Sequence, residues 1–137
     1  MPQALVDLDP VEAHLVTGNL AVGADLIAGF PTETEAMFEQ TMDIVGACGL
    51  TYLHVFPYSE RPETAAARMP QVPVTLRRER AARLREAGAM RLRDFLDGRV
   101  GTSARVLVEG ARSGRSEHYA PVTLDRDAVA GAVISAR

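Results

Sequence analysis

The chain has 137 residues, 47% of them hydrophobic and 24% charged, the size of one domain or of one small domain with an appendage. No apolar run approaches the ~20 residues of a membrane helix, and the opening MPQALVDLDP carries two aspartates and no basic stretch before an apolar core, so it does not read as a signal peptide. A cytoplasmic protein with no membrane partner is the expectation, and its single cysteine, Cys48, excludes an intramolecular disulfide or a multi-cysteine metal site built from this chain alone.

The net charge of -3 conceals a strong asymmetry. Residues 1–74 hold 2 Arg against 10 acids, residues 75–99 hold 8 Arg against 4 acids, and residues 100–137 hold 5 Arg against 4 acids. Every basic side chain apart from the histidines is Arg, with no Lys, which GC-rich codon usage explains as readily as function does.

Residues 1–20 are the least legible, because Pro2, Pro10 and Gly18 interrupt any period. Residues 24–30 read as a buried strand, with Asp25, Ile27 and Gly29 on one side and Leu26, Ala28 and Phe30 on the other. Thr32 and Glu35 have the spacing of a capping box, with Glu33 and Glu35 at the positive end of the helix that follows. Phe38, Met42, Val45 and Cys48 form its apolar stripe, and Gly49 ends it.

Leu53 to Tyr58 alternates as a second strand, so strand, helix and strand make a βαβ unit with parallel strands and a right-handed crossover. Such a two-stranded unit cannot cover both faces of its own sheet and should expose apolar surface unless further strands come from elsewhere. Residues 59–73 read as an irregular loop rich in Pro and Arg, and Thr75 opens a long helix to Asp97 whose inner stripe is Ala81, Leu84, Gly88, Leu92 and Phe95. Most of its arginines fall off that stripe. After Gly98 the stretches GRVGTSARVLVEG and SEHYAPVTL read as two short strands and residues 130–136 as a third, a separate small β module.

Three segments, GADLIAGFPTETEAMF, LTYLHVFPYSERPETAAARMPQVP, and RRERAARLREAG followed by VGTSARVLVEG and GRSEHYAPVTL, together resemble the C-terminal part of the radical-SAM tRNA methylthiotransferases, over residues 21 to about 136. The resemblance implies an α/β architecture: the last β/α units of a partial (β/α)6 radical-SAM barrel over residues 1–97, including the linking helix 75–97, then a shortened OB-like β-barrel of TRAM type over residues 98–137. It implies S-adenosylmethionine and two [4Fe-4S] clusters as cofactors of the full-length family. The implied reaction methylthiolates threonylcarbamoyladenosine beside the anticodon, with the tRNA anticodon stem-loop and an N-terminal portion of the same enzyme as partners.

By resemblance, Ile27, Gly29 and Glu33 sit on the segment that lies beside the adenosyl part of S-adenosylmethionine, with Tyr58 and Arg61 near it at the end of the second strand. A plain strand-to-helix turn and ordinary loop packing are the competing accounts of these residues. Glu63 stands where the family has Gly in an S-x-R-P-G-T turn, which bears on the geometry around Arg61. Arg105, Arg112, Arg115, His118 and Tyr119 make a basic, partly aromatic set suited to RNA, although a solvated sheet surface has the same composition.

The family's first cluster needs three thiolates, from a Cys-x-x-x-Cys-x-x-Cys loop absent from this sequence, and Cys48 reads as a small buried hydrophobe on its helix stripe. No catalytic or metal-ligating residue is therefore expected in this chain, and alone it should be inactive. His54 reads as a core or barrel-facing residue, and His14 and His118 have no metal spacing. A stand-alone RNA-binding module and an unrelated α/β metabolic domain are the alternative readings.

Overall fold

The computed structural model describes residues 20–137, so His14 and the illegible opening segment lie outside the described residues. Its elements in chain order are β1 (Gly23–Ala28), α1 (Glu35–Ala47), β2 (Tyr52–Pro57), a 3-10 turn at Ala66–Arg68, α2 (Val74–Asp97), β3 (Ala104–Gly110), β4 (Ser113–Ser116), β5 (Pro121–Thr123) and β6 (Val133–Ala136). They group into two compact units, one extending to Leu92 and one over Arg93–Arg137, so the last turn of α2 belongs with the second.

In the first unit β1 and β2 pair in parallel, Ala24 opposite Leu53 and Ala28 opposite Pro57. The period-2 pattern holds: Ala24, Leu26 and Ala28 of β1 and Leu53 and Val55 of β2 pack with Phe38, Val45, Leu50, Ala81 and Leu84. The opposite face carries the register partners Ile27 and Phe56, 58% and 55% exposed, and the exposed pair Asp25 and His54, so one face of this small parallel sheet is uncovered among the described residues.

α1 begins later than the capping-box spacing suggested. Its N-cap is Thr34, whose hydroxyl accepts from the Met37 N–H at 3.2 Å, while Thr32 adopts φ +68° and stays outside the helix. Pro31 forces this, because with Thr32 it forms a tight turn closed by the Glu33 N–H donating to Phe30 O at 2.9 Å. Phe30 is accordingly beyond the end of β1, half-exposed, and takes no part in the strand's alternation. The far end follows expectation: Gly49, at φ +60°, takes the left-handed position after the Cys48 cap.

The inner stripe of α2 differs more. Ala81, Leu84 and Gly88 are buried as the spacing predicts, but so are Arg77 and Arg80, at 4% and 2% exposure. Two arginines thus lie on the apolar face of the helix, not off it. Gly88 admits β2 closely, since a Cβ there would lie 3.1 Å from the Leu53 side chain.

The second unit holds four strands where the sequence suggested three, in the order β5-β4-β3-β6 and antiparallel throughout. SEHYAPVTL does not form one strand. Ser116 ends β4, and its hydroxyl accepts from the N–H groups of His118 and Ala120 at 3.2 Å each, which turns the chain before β5. Val106 and Val108 point into the core of this unit with Ala120 and Leu124. Among the described residues no helix is long and apolar enough to cross a membrane.

Candidate functional site

The first candidate site is the C-terminal edge of the β1/β2 sheet, where two loops meet α2. Gly29 follows β1 at φ +73°, and an L side chain there would be strained and would collide with Arg77, whose Cγ lies 2.6 Å from the position of an added Cβ. The Gly29 N–H donates to Glu33 Oε1 at 3.1 Å, and the Thr32 N–H donates to Pro70 O at 3.1 Å. The turn is therefore held from inside by its own glutamate and from outside by the loop before α2.

Glu33 is held in turn by Arg80. One terminal nitrogen of Arg80 donates to the Glu33 carboxylate at 2.8 Å and to its carbonyl at 3.0 Å, and the other donates to Glu35 Oε2 at 2.9 Å. Nε of Arg80 is buried without a partner among the described residues. Arg83 extends the network to Glu35 and Glu39, and both guanidinium groups lie over the Phe38 ring, 5.4 and 4.6 Å from its centroid. Hydrogen bonds from Arg83 and then Arg80 hold the Glu35 carboxyl below its ordinary range, and Glu35 and Glu39 raise Arg83.

Arg77 does for the second loop what Arg80 does for the first. Its Nε donates to Val72 O at 2.6 Å, and one terminal nitrogen donates to Glu60 Oε1 at 2.9 Å and Gln71 Oε1 at 3.0 Å. The guanidinium lies 5.2 Å from the centroid of the Tyr58 ring, which also meets Phe30 edge-on at 5.4 Å. The Tyr58 hydroxyl is buried and has no partner among the described residues. Arg85 donates to Val55 O at 3.0 Å, so four arginines of α2 are engaged within the first unit. Glu33, Glu35, Glu39 and Glu60 of the acidic first half are thus paired with arginines of the basic helix, which the sequence left open.

Arg61 is exposed on the loop after Tyr58. Its carbonyl closes a turn by accepting from the Thr64 N–H at 3.3 Å and hydroxyl at 2.9 Å, with Pro62 second and Glu63 third. Glu63 has φ +68°, so it takes the left-handed conformation that suits Gly, and the turn forms at a cost in strain. Ile27, Gly29, Glu33 and Tyr58 are thus gathered at one edge of the sheet, whereas Arg61 projects from the following turn.

The second candidate site is the outer face of the sheet in the second unit. Arg105 and Arg115 lie on it, Arg115 opposite Leu107, and the Arg115 guanidinium sits 4.5 Å from the centroid of the Tyr119 ring, which is 68% exposed. Acids accompany these cations: Glu117 at 3.5 Å from Arg105 and Glu109 at 3.4 Å from Arg115. Arg112 lies on the β3–β4 connection, paired with Asp127 at 2.7 Å. His118 does not join this surface. It is 8% exposed, turned inward with its ring edge-on to Phe95 at 5.6 Å, because the Ser116 turn points it into the unit.

The inward side of the same unit has a groove of about 910 Å³, lined by Phe95, Leu96, Val106, Val122 and Ile134 among others. Among the described residues no group of three or more His, Cys, Asp or Glu could hold a metal ion.

The buried arginines are what sequence reasoning missed. Their spacing was available: Arg77, Arg80 or Ala81, Leu84 and Gly88 recur at three and four, the period of the apolar stripe itself. Three acids clustered at residues 33, 35 and 39 were the complementary sign.

No protein-family model matches the chain. Among curated proteins it is 46% identical over 117 residues to threonylcarbamoyladenosine tRNA methylthiotransferase MtaB of Rickettsia prowazekii (strain Madrid E), covering 85% of this chain and 28% of that protein. It is 34% identical over 100 residues to MtaB of Aquifex aeolicus (strain VF5), covering 72% and 24%. To a tRNA-2-methylthio-N(6)-dimethylallyladenosine synthase of Coxiella burnetii (strain Dugway 5J108-111) it is 35% identical over 120 residues, covering 82% and 27%. The chain therefore spans about a quarter of the length of these relatives. A match of this extent through both units removes the unrelated metabolic domain from consideration, and the chain belongs to the radical-SAM tRNA methylthiotransferase family.

Proposed function

We propose that this chain is the C-terminal part of a tRNA methylthiotransferase acting on threonylcarbamoyladenosine beside the anticodon. The identity to an MtaB protein over 85% of the chain carries the reading. In it, β1 and β2 are the last strands of the radical-SAM barrel, and the uncovered face bearing Ile27 and Phe56 is turned toward the remainder of the enzyme. The second unit is a TRAM-type module whose outer face meets the anticodon stem-loop.

S-adenosylmethionine fits the first site in chemical terms, and when bound it would supply an activated methyl group. The exposed Ile27 side chain offers apolar surface to the adenosyl part, the left-handed Gly29 turns the chain beside it, and Tyr58 and Arg61 border it on the next loop. A [4Fe-4S] cluster does not fit this chain. Its one cysteine, Cys48, packs partly buried against the core of the first unit, and one thiolate cannot replace three. Anaerobic reconstitution with iron and sulfide should therefore leave the purified chain without a stoichiometric cluster.

In the second unit Tyr119 offers an exposed ring for a base, backed by Arg115, while Arg105 and Arg112 supply charge beside the phosphates. Anisotropy titrations with tRNA test this. Affinity should fall as salt rises, and Tyr119→Ala should weaken binding by roughly 5- to 100-fold, the range for loss of one base stack. Absence of tRNA binding at low salt would defeat the RNA-binding role. The single cysteine also leaves room for a stand-alone RNA-binding module, which tight tRNA binding by this chain alone, as a monodisperse species, would favour.

A further inference from the structure

We propose that Arg80 is a positioning residue for ligand binding at the Gly29 turn, and that Glu33 acts through the turn rather than by touching the ligand. This rests on the reading that the turn receives S-adenosylmethionine. Glu33 Oε1 already accepts from the Gly29 N–H at 3.1 Å and from Arg80 at 2.8 Å, and its side chain is 12% exposed. Both bonds fall on Oε1, and the low exposure of the side chain leaves little of the carboxylate for a ligand hydroxyl to reach.

The arrangement makes the turn's conformation depend on a residue 47 positions away in sequence. Arg80 grips both ends of Glu33, the carboxylate and the carbonyl, and with its other nitrogen holds Glu35 in the first turn of α1. Its guanidinium is fixed by burial at 2% exposure and by the Phe38 ring beneath it. Three acceptors at set angles need a planar fork, and a lysine ammonium in the same place could keep the charge but not span them. The Gly29 N–H is thereby turned inward to Glu33 and the Phe30 carbonyl accepts from the Glu33 N–H at 2.9 Å, so a ligand at the turn meets a main chain whose shape the Arg80–Glu33 pair sets.

The test uses the ¹³C,¹⁵N-labelled 137-residue chain and its Arg80→Met, Arg80→Lys and Glu33→Gln variants, with S-adenosylmethionine as the titrant. Before any ligand is added, the Gly29 amide resonance should move in Arg80→Met, with faster hydrogen exchange, while amides in the second half of α1 stay in place. Arg80→Lys should show a partial displacement of the same resonance, and it remains informative if Arg80→Met does not fold. On titration the wild type should shift at Gly29 and Phe30, and Arg80→Met should lose roughly tenfold to a hundredfold in affinity, the scale of a charge-assisted hydrogen bond. A general loss of stability would lower the melting temperature without singling out Gly29.

A Gly29 amide unchanged in both Arg80 variants overturns the positioning role. Equal affinity in wild type and Arg80→Met, or direct perturbation of the Glu33 carboxyl resonance by bound S-adenosylmethionine with the Gly29 bond intact, overturns it as well. A wild-type chain that ignores S-adenosylmethionine at millimolar concentration overturns the positioning role for that ligand and the ligand reading beneath it. The unliganded Gly29 amide then still reports whether Arg80 sets the turn, so the two failures are separable.

Discussion

Gly29 and Arg77 are in backbone-to-stem contact: a Cβ built on Gly29 would lie 2.6 Å from Arg77 Cγ and 2.9 Å from its Cα. The Arg77 stem cannot yield, because its guanidinium is tied to Val72, Glu60 and Gln71. Gly29→Ala should therefore cost about 2–4 kcal/mol, from the left-handed conformation together with overpacking. Urea denaturation followed by circular dichroism checks this, and a loss under about 0.5 kcal/mol, the scale of an ordinary surface substitution, would refute the contact.

Glu63 occupies the third position of its turn at φ +68°, where a side chain is strained. Glu63→Gly should stabilise the chain by up to about 1 kcal/mol, since relief of strain is partly offset by the greater freedom of Gly in the unfolded chain. A rise in melting temperature with unchanged tRNA affinity is the expected result.

Arg80 and Glu33 should be strongly coupled. Arg80→Met alone leaves the Glu33 carboxylate buried without its main partner and should cost about 3–5 kcal/mol, whereas combining it with Glu33→Gln should recover part of that loss. Additive costs in the double-mutant cycle would show that the pair does not act as a unit.

The Glu35 carboxyl is depressed by Arg83 and Arg80, which fixes the sign of one pH effect. A group whose pKa is lower folded than unfolded contributes stability that is present above its unfolded value and lost as pH falls through the folded one. Acidification below the ordinary carboxylate range should therefore loosen the α1–α2 contact, and Glu35→Gln should flatten that part of the stability profile. The same acid dependence in wild type and Glu35→Gln would count against the contribution of Glu35.

The alternation of β1 and β2, the Phe38–Cys48 stripe and the stop at Gly49 were legible because each depends on a local period or on one residue's conformational freedom. The start of α1 was misjudged by local rules because a turn built on Pro31 competes with the capping box and is tied to Pro70, far along the chain. The candidate residues of the first site were named by resemblance. Their support was not, since it comes from the opposite end of the unit.

What the sequence by itself determined is the βαβ order, the family and the inability of a single cysteine to build a cluster site. Only the tertiary structure decided where the charges of α2 go. An arginine on a helix is read as a solvated or RNA-facing group because burying its charge is costly, and that cost is offset only when matching carboxylates arrive from distant segments. Glu33, Glu35 and Glu60 do so for Arg80 and Arg77, and the Ser116 turn likewise draws His118 inward. Pairings of this kind have no local period to betray them, because they exist only once α2 has packed on the sheet and the turn has closed.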